Sequence, residues 1–235
     1  MYRPEINSFS DFRDALRYAG FSTGGGNADG VFAIIPFLWT ELPPYRTRIR
    51  WHTGNPDTDP WEWRIRVLDE CDDIAYAKMF FGKSGYITRE WYPYFLAARR
   101  DWRNLADSYS DGRVSRDAKR IFEVISERGA LPVREIKRLG GFSREDKSRF
   151  DRAVIELQNG LFITMCGHSR QVSGSGEEYG WSEMLYCTTE TFWGGELFER
   201  AGELTQTEAA RAIEERVLSL NPDVDAKKLK RFIFG

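Results

Sequence analysis

Four long cationic side chains, Arg144, Lys147, Arg149 and Arg152, fall close together with Ser148 among them. On a helix turning about 100° per residue, Arg144, Ser148 and Arg152 share one side, with Arg149 at its edge and Lys147 near the helix start. Phe150, Ala153, Val154 and Leu157 take the opposite arc. Long donors beside a small hydroxyl suit phosphate oxygens and base edges, and the arginine fork can offer guanine two hydrogen bonds. The chemistry expected here is contact with DNA, as a duplex rather than a single strand, with Arg170 further along as an added cation. A plainer reading stands beside it: Glu145, Asp151 and Glu156 interrupt the cations, as on any solvated helix face. Ile155 also points outward, toward a thymine methyl or a neighbouring part of the protein.

A second candidate set lies in "WHTGNPDTDPWEWRIR". Trp51, Trp61 and Trp63 could form an aromatic pocket, since an exposed indole stacks on a base for about 1 to 3 kcal/mol. Glu62 or Glu90 could act there as a general base, with Lys78 paired to a carboxylate. The competing view makes Trp61 and Trp63 one core-facing side of a strand, "DTDP" a turn, Lys78 the wet side of a half-buried strand and His52 structural.

Glycines in "QVSGSGEEYGW" raise the question of a phosphate loop. Gly174, Gly176 and Gly180 give Gly-x-Gly-x-x-x-Gly rather than Gly-x-Gly-x-x-Gly, no Gly-Lys-Ser/Thr follows, and a strand-like run stands where a helix would be required. The loop is therefore read as a hairpin tip or wing. Cys71, Cys166 and Cys187 are unpaired in spacing and are read as small buried thiols. With only His52 and His168 to help them they make no zinc pattern, so neither a metal nor a cofactor is expected. No apolar run nears the length of a membrane span and the start lacks a signal-peptide core, which points to a cytoplasmic protein without a membrane partner. The net charge of -2 hides a division: residues 113–170 carry 13 Lys and Arg against 8 Asp and Glu.

These residues need elements to hold them. Ser8 caps a helix with Phe9, Phe12, Leu16 and Ala19 on one face and Gly20 at its end. "VFAIIPFLW" reads as a buried strand, "IAYAKMFFGKSGYITREW" as a hairpin with a four-residue turn ending in Gly85, and "REWYPYFLAARRDW" as a short helix broken near Pro93. The polar stretch 107–112 is the expected boundary between modules. Beyond it Ser115 caps a helix carrying Ala118, Ile121, Phe122 and Ile125, Pro132 opens a second one, and Ser143 caps a third in a box with Asp146. Two alternating runs follow around the glycine tip. That order is a winged helix-turn-helix. The expected fold is α+β: an aromatic-rich α+β module over 1–110, a winged-helix module over 111–193, and C-terminal helices over 194–235. Thr205 and Glu208 box the longer of these helices, with Ala209, Ala210, Ile213, Val217 and Leu220 inward.

The run "DPWEWR", then "IAYAKMFFGKSGYITREWYPYFLAARR", the basic middle and "SGSGEEYGW" resemble the AlkZ-related bacterial proteins, distant relatives of the AlkZ and YcaQ winged-helix DNA glycosylases. The resemblance covers most of the chain and implies a winged-helix architecture with a connection to DNA. Those glycosylases position their attacking water with Gln-x-Gln or Gln-x-Asp, whereas Gln158, Gln171 and Gln206 begin no such motif. No catalytic residue carries over. The expected function is a DNA-binding protein, regulatory or associated with DNA repair, without an identifiable catalytic motif. The alternatives are a glycosylase-like enzyme acting on a flipped or damaged base and a winged-helix scaffold for protein interaction.

Overall fold

A computed structural model describes residues 2–26, 29–38, 40, 47–172 and 178–235, with the backbone alone for 170–172 and 178–181. Helix α1 (Phe9–Ala19) starts where Ser8 accepts the Asp11 N–H at 3.2 Å, and it buries Phe9, Phe12, Leu16 and Ala19. Gly20 ends it at φ +92°, and a Cβ there would run into the Trp91 ring, so glycine is required twice over. Strand β1 (Phe21–Thr23) follows. The apolar run expected as a strand is no strand over its described residues. Val31 to Ile35 are buried in an irregular path, tied down by Thr23 N–H to Phe32 O at 3.2 Å and Ile34 N–H to Ser22 Oγ at 3.0 Å.

The tryptophan stretch departs from the expected strand and forms helix α2 (Pro60–Glu70). Asp59 is its N-cap, Pro60 its first residue, and the buried carboxylate gathers N–H groups from His52, Thr53, Gly54 and Trp61 at 2.7 to 3.0 Å. Asp-Pro here starts a helix rather than making a turn. Strands β2 (Ile74–Phe80) and β3 (Lys83–Thr88) form the expected hairpin, but Phe80 already pairs with Lys83. The turn is thus two residues, Phe81 and Gly82, both at positive φ, the conformation that matches the strand twist in a tight hairpin. Gly85 lies inside β3, where a Cβ would strike the Phe80 ring. Helix α3 (Tyr92–Arg100) is opened, not broken, by Pro93 in its first turn.

Helix α4 (Leu105–Ser110) occupies much of the polar stretch, opened by a capping box between Asn104 and Asp107. Helix α5 (Arg116–Arg128) is capped by Ser115 and ended by Gly129. Then come β4 (Leu131–Pro132), α6 (Val133–Leu139), α7 (Lys147–Asn159), β5 (Ile163–Val172) and β6 (Glu178–Thr188). The last four helices are α8 (Thr189–Trp193), α9 (Gly195–Gly202), α10 (Gln206–Leu220), with its Thr205–Glu208 box, and α11 (Ala226–Phe234).

The described residues form a mixed α/β fold around one antiparallel sheet of order β1-β3-β2-β5-β6-β4. The pair Tyr76 and Met165 joins the N-terminal hairpin to the later strands. Phe21, Phe80, Phe95 and Phe232 cluster in the core, Phe80 stacked on Phe232 at 4.1 Å. Cys71 and Cys187 are buried as expected, whereas Cys166 is half-buried beside the Cys187 thiol. That contact lowers the Cys166 pKa and raises that of Cys187.

Candidate nucleic-acid interface

Helix α7 lies against α5 and β2. Phe150, Ala153, Val154 and Leu157 are buried, as the spacing requires, while Lys147, Ser148, Arg149 and Arg152 stand exposed. The helix begins at Lys147, later than expected. Ser143 gives its N–H and hydroxyl to the Asp146 carboxylate at 2.9 and 2.8 Å, which holds residues 143–146 in a turn outside the helix. These bonds hold the Asp146 pKa below the ordinary carboxylate value. Arg144 is therefore an exposed residue of the turn rather than of the helix.

Charges on this face are partly spoken for. The Arg149 guanidinium reaches Asp117 of α5 at 2.9 Å and Asp146 at 3.1 Å while remaining 56% exposed. Lys147, 74% exposed, reaches Asp151 at 2.6 Å. The exposed Lys147 pair is of the kind worth about 0 to 1 kcal/mol, whereas Arg149 holds Asp117 through two bonds of 3.0 Å. Arg144 and Arg152 make no ion pair with a described residue; Arg152 Nε donates to Ser148 O at 3.3 Å. Glu156 faces α5, accepting the Ser115 N–H and hydroxyl at 2.6 and 2.7 Å, so it caps a helix instead of opposing the cations. Ile155 is half-buried near Gly82 of the hairpin turn, the packing alternative of its two readings. Part of the basic middle also serves packing: Arg120 lies 3.8 Å from the centroid of Phe142 and Lys137 4.7 Å from that of Phe150.

What sets the pose of α7 is a residue without an evident sequence signal. Strand β2 loses regular pairing between Ala77 and Phe80, and Gln158, fully buried, takes the Lys78 N–H at 2.9 Å while its amide donates to Val154 O at 3.1 Å. Pairing of β5 with β6 extends to Val172 and Glu178, so the glycine-rich segment joins two antiparallel strands and leads into no helix. Its residues 173–177 lie outside the described residues, as does the Arg170 side chain.

The aromatic set divides. Trp51 and Trp61 line a cavity of about 320 Å³, together with residues 24–26, Arg64, Lys83 and Ser84. Trp63 is in the core, stacked on Phe12 at 4.9 Å with its indole N–H on Asp57 O at 3.2 Å. Glu62, Lys78 and Glu90 do not line the cavity; its carboxylate is Asp29, held by Lys83 at 2.9 Å. The glycines of "STGGG" and the i, i+3 pair Trp61 and Arg64 were the available signals for this place. Among the described residues no group of His, Cys, Asp and Glu is arranged to hold a metal ion, and no helix is long and apolar enough to cross a membrane.

The model of the family described as AlkZ related matches residues 6–234. The chain belongs to the AlkZ-related family. No curated protein matches the AlkZ-related chain in sequence. Among solved structures, the DNA glycosylase AlkZ of Streptomyces sahachiroi is similar at 14% identity and a TM-score of 0.35, over 74% of this chain and 50% of that one. The AlkZ-related chain thus spans about half the length of that protein. Its glutamines with described side chains are committed to structure: Gln158 holds β2, and Gln206 in the first turn of α10 donates to Ala98 O at 2.8 Å.

Proposed function

We propose that this AlkZ-related protein binds duplex DNA through the exposed face of α7, with residues 111–193 acting as a winged-helix module and 1–110 and 194–235 flanking it. The observation that carries the reading is order: helix, short strand, helix, helix, then two long strands, with β4 pairing on the outer side of β6 and α7 presenting Lys147, Ser148, Arg149 and Arg152 to solvent. Long cationic donors, two of them forked, beside a small hydroxyl on a helix of 13 residues suit a major groove. The protein acts as a regulator or an accessory of repair rather than as a catalyst.

Fluorescence anisotropy with a labelled duplex at several salt concentrations tests this. Each phosphate contact contributes about 0.9 to the slope of log K against log salt, so Arg149→Ala with Arg152→Ala should flatten that slope by about 1 to 2 and weaken binding at low salt. Unchanged affinity and slope in the double variant would remove α7 from the interface.

A further inference from the structure

The cavity beside α2 is lined by Arg64, Lys83 and several hydroxyls as well as by the indoles of Trp51 and Trp61. Arg64 gives its Nε–H to Trp61 O at 2.8 Å and lies 3.6 Å above the Trp61 ring, which fixes the guanidinium close to the Tyr76 hydroxyl. The Tyr76 hydroxyl donates to Ser84 Oγ at 3.0 Å, so the Ser84 proton is directed elsewhere. The Gly25 N–H makes no bond to another described residue, although Gly24 N–H meets Ser84 O and Gly26 N–H meets Ile35 O. Lys83 adds a cation that is 61% exposed, and its Asp29 partner is the one carboxylate of the lining among the described residues.

Aromatic packing shapes the rest. Trp51 lies so close over Gly25 that any Cβ there would enter its ring, which ties the glycine loop to the indole. The Trp51 Nε1 is buried without a partner among the described residues. Trp61 is 43% exposed at the rim. A guanidinium, an ammonium, a hydroxyl and a backbone N–H among the lining residues suit a multidentate oxyanion, and the indoles of the same lining suit a planar ring.

We infer that this cavity binds a nucleotide unit, its phosphate on Arg64, Ser84, Lys83 and the Gly25 N–H and its base against the indoles of Trp51 and Trp61. The unit can be a free mononucleotide or the 5′-phosphorylated end of a strand, since both present the same phosphate and base. None of these residues belongs to α7, although the hairpin turn next to Lys83 touches Ile155 of that helix.

Tryptophan fluorescence and calorimetric titration of the full chain would test it with adenosine 5′-monophosphate, adenosine, inorganic phosphate and a 5′-phosphorylated dinucleotide. Saturable binding of the monophosphate or the phosphorylated dinucleotide is expected, about tenfold or more tighter than adenosine or phosphate alone, and whichever of the two binds better names the source. Arg64→Met should weaken it by about tenfold or more. Should that variant fail to fold, Ser84→Ala and Lys83→Met provide the same test at partly exposed positions. The paired α7 substitutions should leave nucleotide affinity unchanged. Absence of saturable binding of both ligands at millimolar concentration, equal competition by sulfate, or affinity unchanged in folded Arg64→Met and in the Ser84 and Lys83 variants would overturn the assignment.

Discussion

Adjacent arginines in α3 fasten distant parts of the chain. Arg99 donates to Met79 O, Asn159 O, Phe232 O and Ile233 O at 2.7 to 2.9 Å, and Arg100 to Thr189 Oγ1, Glu190 and the carbonyls of Gly160 and Leu161. Both therefore meet the carbonyl ends of helices, where a cation is favoured. Burial draws the Arg99 pKa down to about 9, which leaves it charged at neutral pH. Arg99→Met should lower stability by about 3 kcal/mol or more, because several buried carbonyls lose their donor at once, and Arg99→Lys should restore only part of it since an ammonium cannot fork. Urea unfolding checks both; a midpoint unmoved by the Met variant would contradict the role. In the sequence, "AARR" reads as the end of an amphipathic helix, and nothing local shows that its guanidiniums are enclosed.

At the level of elements, local chemistry explains most boundaries. Ser8, Ser115 and Thr205 each cap the helix expected after them, and Gly20 and Gly129 end theirs. Two errors have local causes. Asp-Pro carries the signal of a cap and a first helical residue, while "WEW" alternates as a strand does, and the helical signal prevails in the fold. The turn at Phe81 and Gly82 was illegible because a phenylalanine at φ +55° is uncommon and only the hairpin enforces it. Helices α1 and α2 are also secured by ion pairs: Arg17 to Asp73 at 2.7 Å, and Arg66 to Glu70 at 2.6 Å. Their hydrogen bonds from arginine hold the Asp73 and Glu70 pKa values below the ordinary ones. Depressed folded values mean stabilisation present above the unfolded pKa and lost as pH falls through the folded one. Stability should therefore drop below about pH 4, and Arg17→Met should shallow that drop while costing less than about 1 kcal/mol at pH 7. Urea midpoints at pH 7 and in the acid range measure this, and an acid limb identical to that of the parent would exclude the Arg17 pair as a contributor.

Across the whole molecule the sheet passes from the hairpin at β2 into β5, and Gln158, Arg99 and Arg100 brace that passage from the helical side. Helix α4 covers much of the polar stretch 107–112 and packs on α5. Heat or urea should consequently unfold residues 1–193 in one transition, followed alike by tryptophan fluorescence, which reports mainly on the first half, and by far-ultraviolet circular dichroism. Two separated transitions would show that the two halves of the sheet are only weakly coupled.

Caps, glycine stops and the 3.6-residue stripe of α7 act through neighbours a few positions apart, so they could be recognised from the chain's order alone, and with them the outward set Lys147, Ser148, Arg149 and Arg152. Membership of the indole cavity depended on residues from 23 to 86 meeting in space. Long-range packing likewise chose which tryptophan entered the core, because Trp61 and Trp63 have the same chemistry and differ by only two positions along α2. That choice belongs to the neighbours each indole finds, Phe12 for one and solvent for the other.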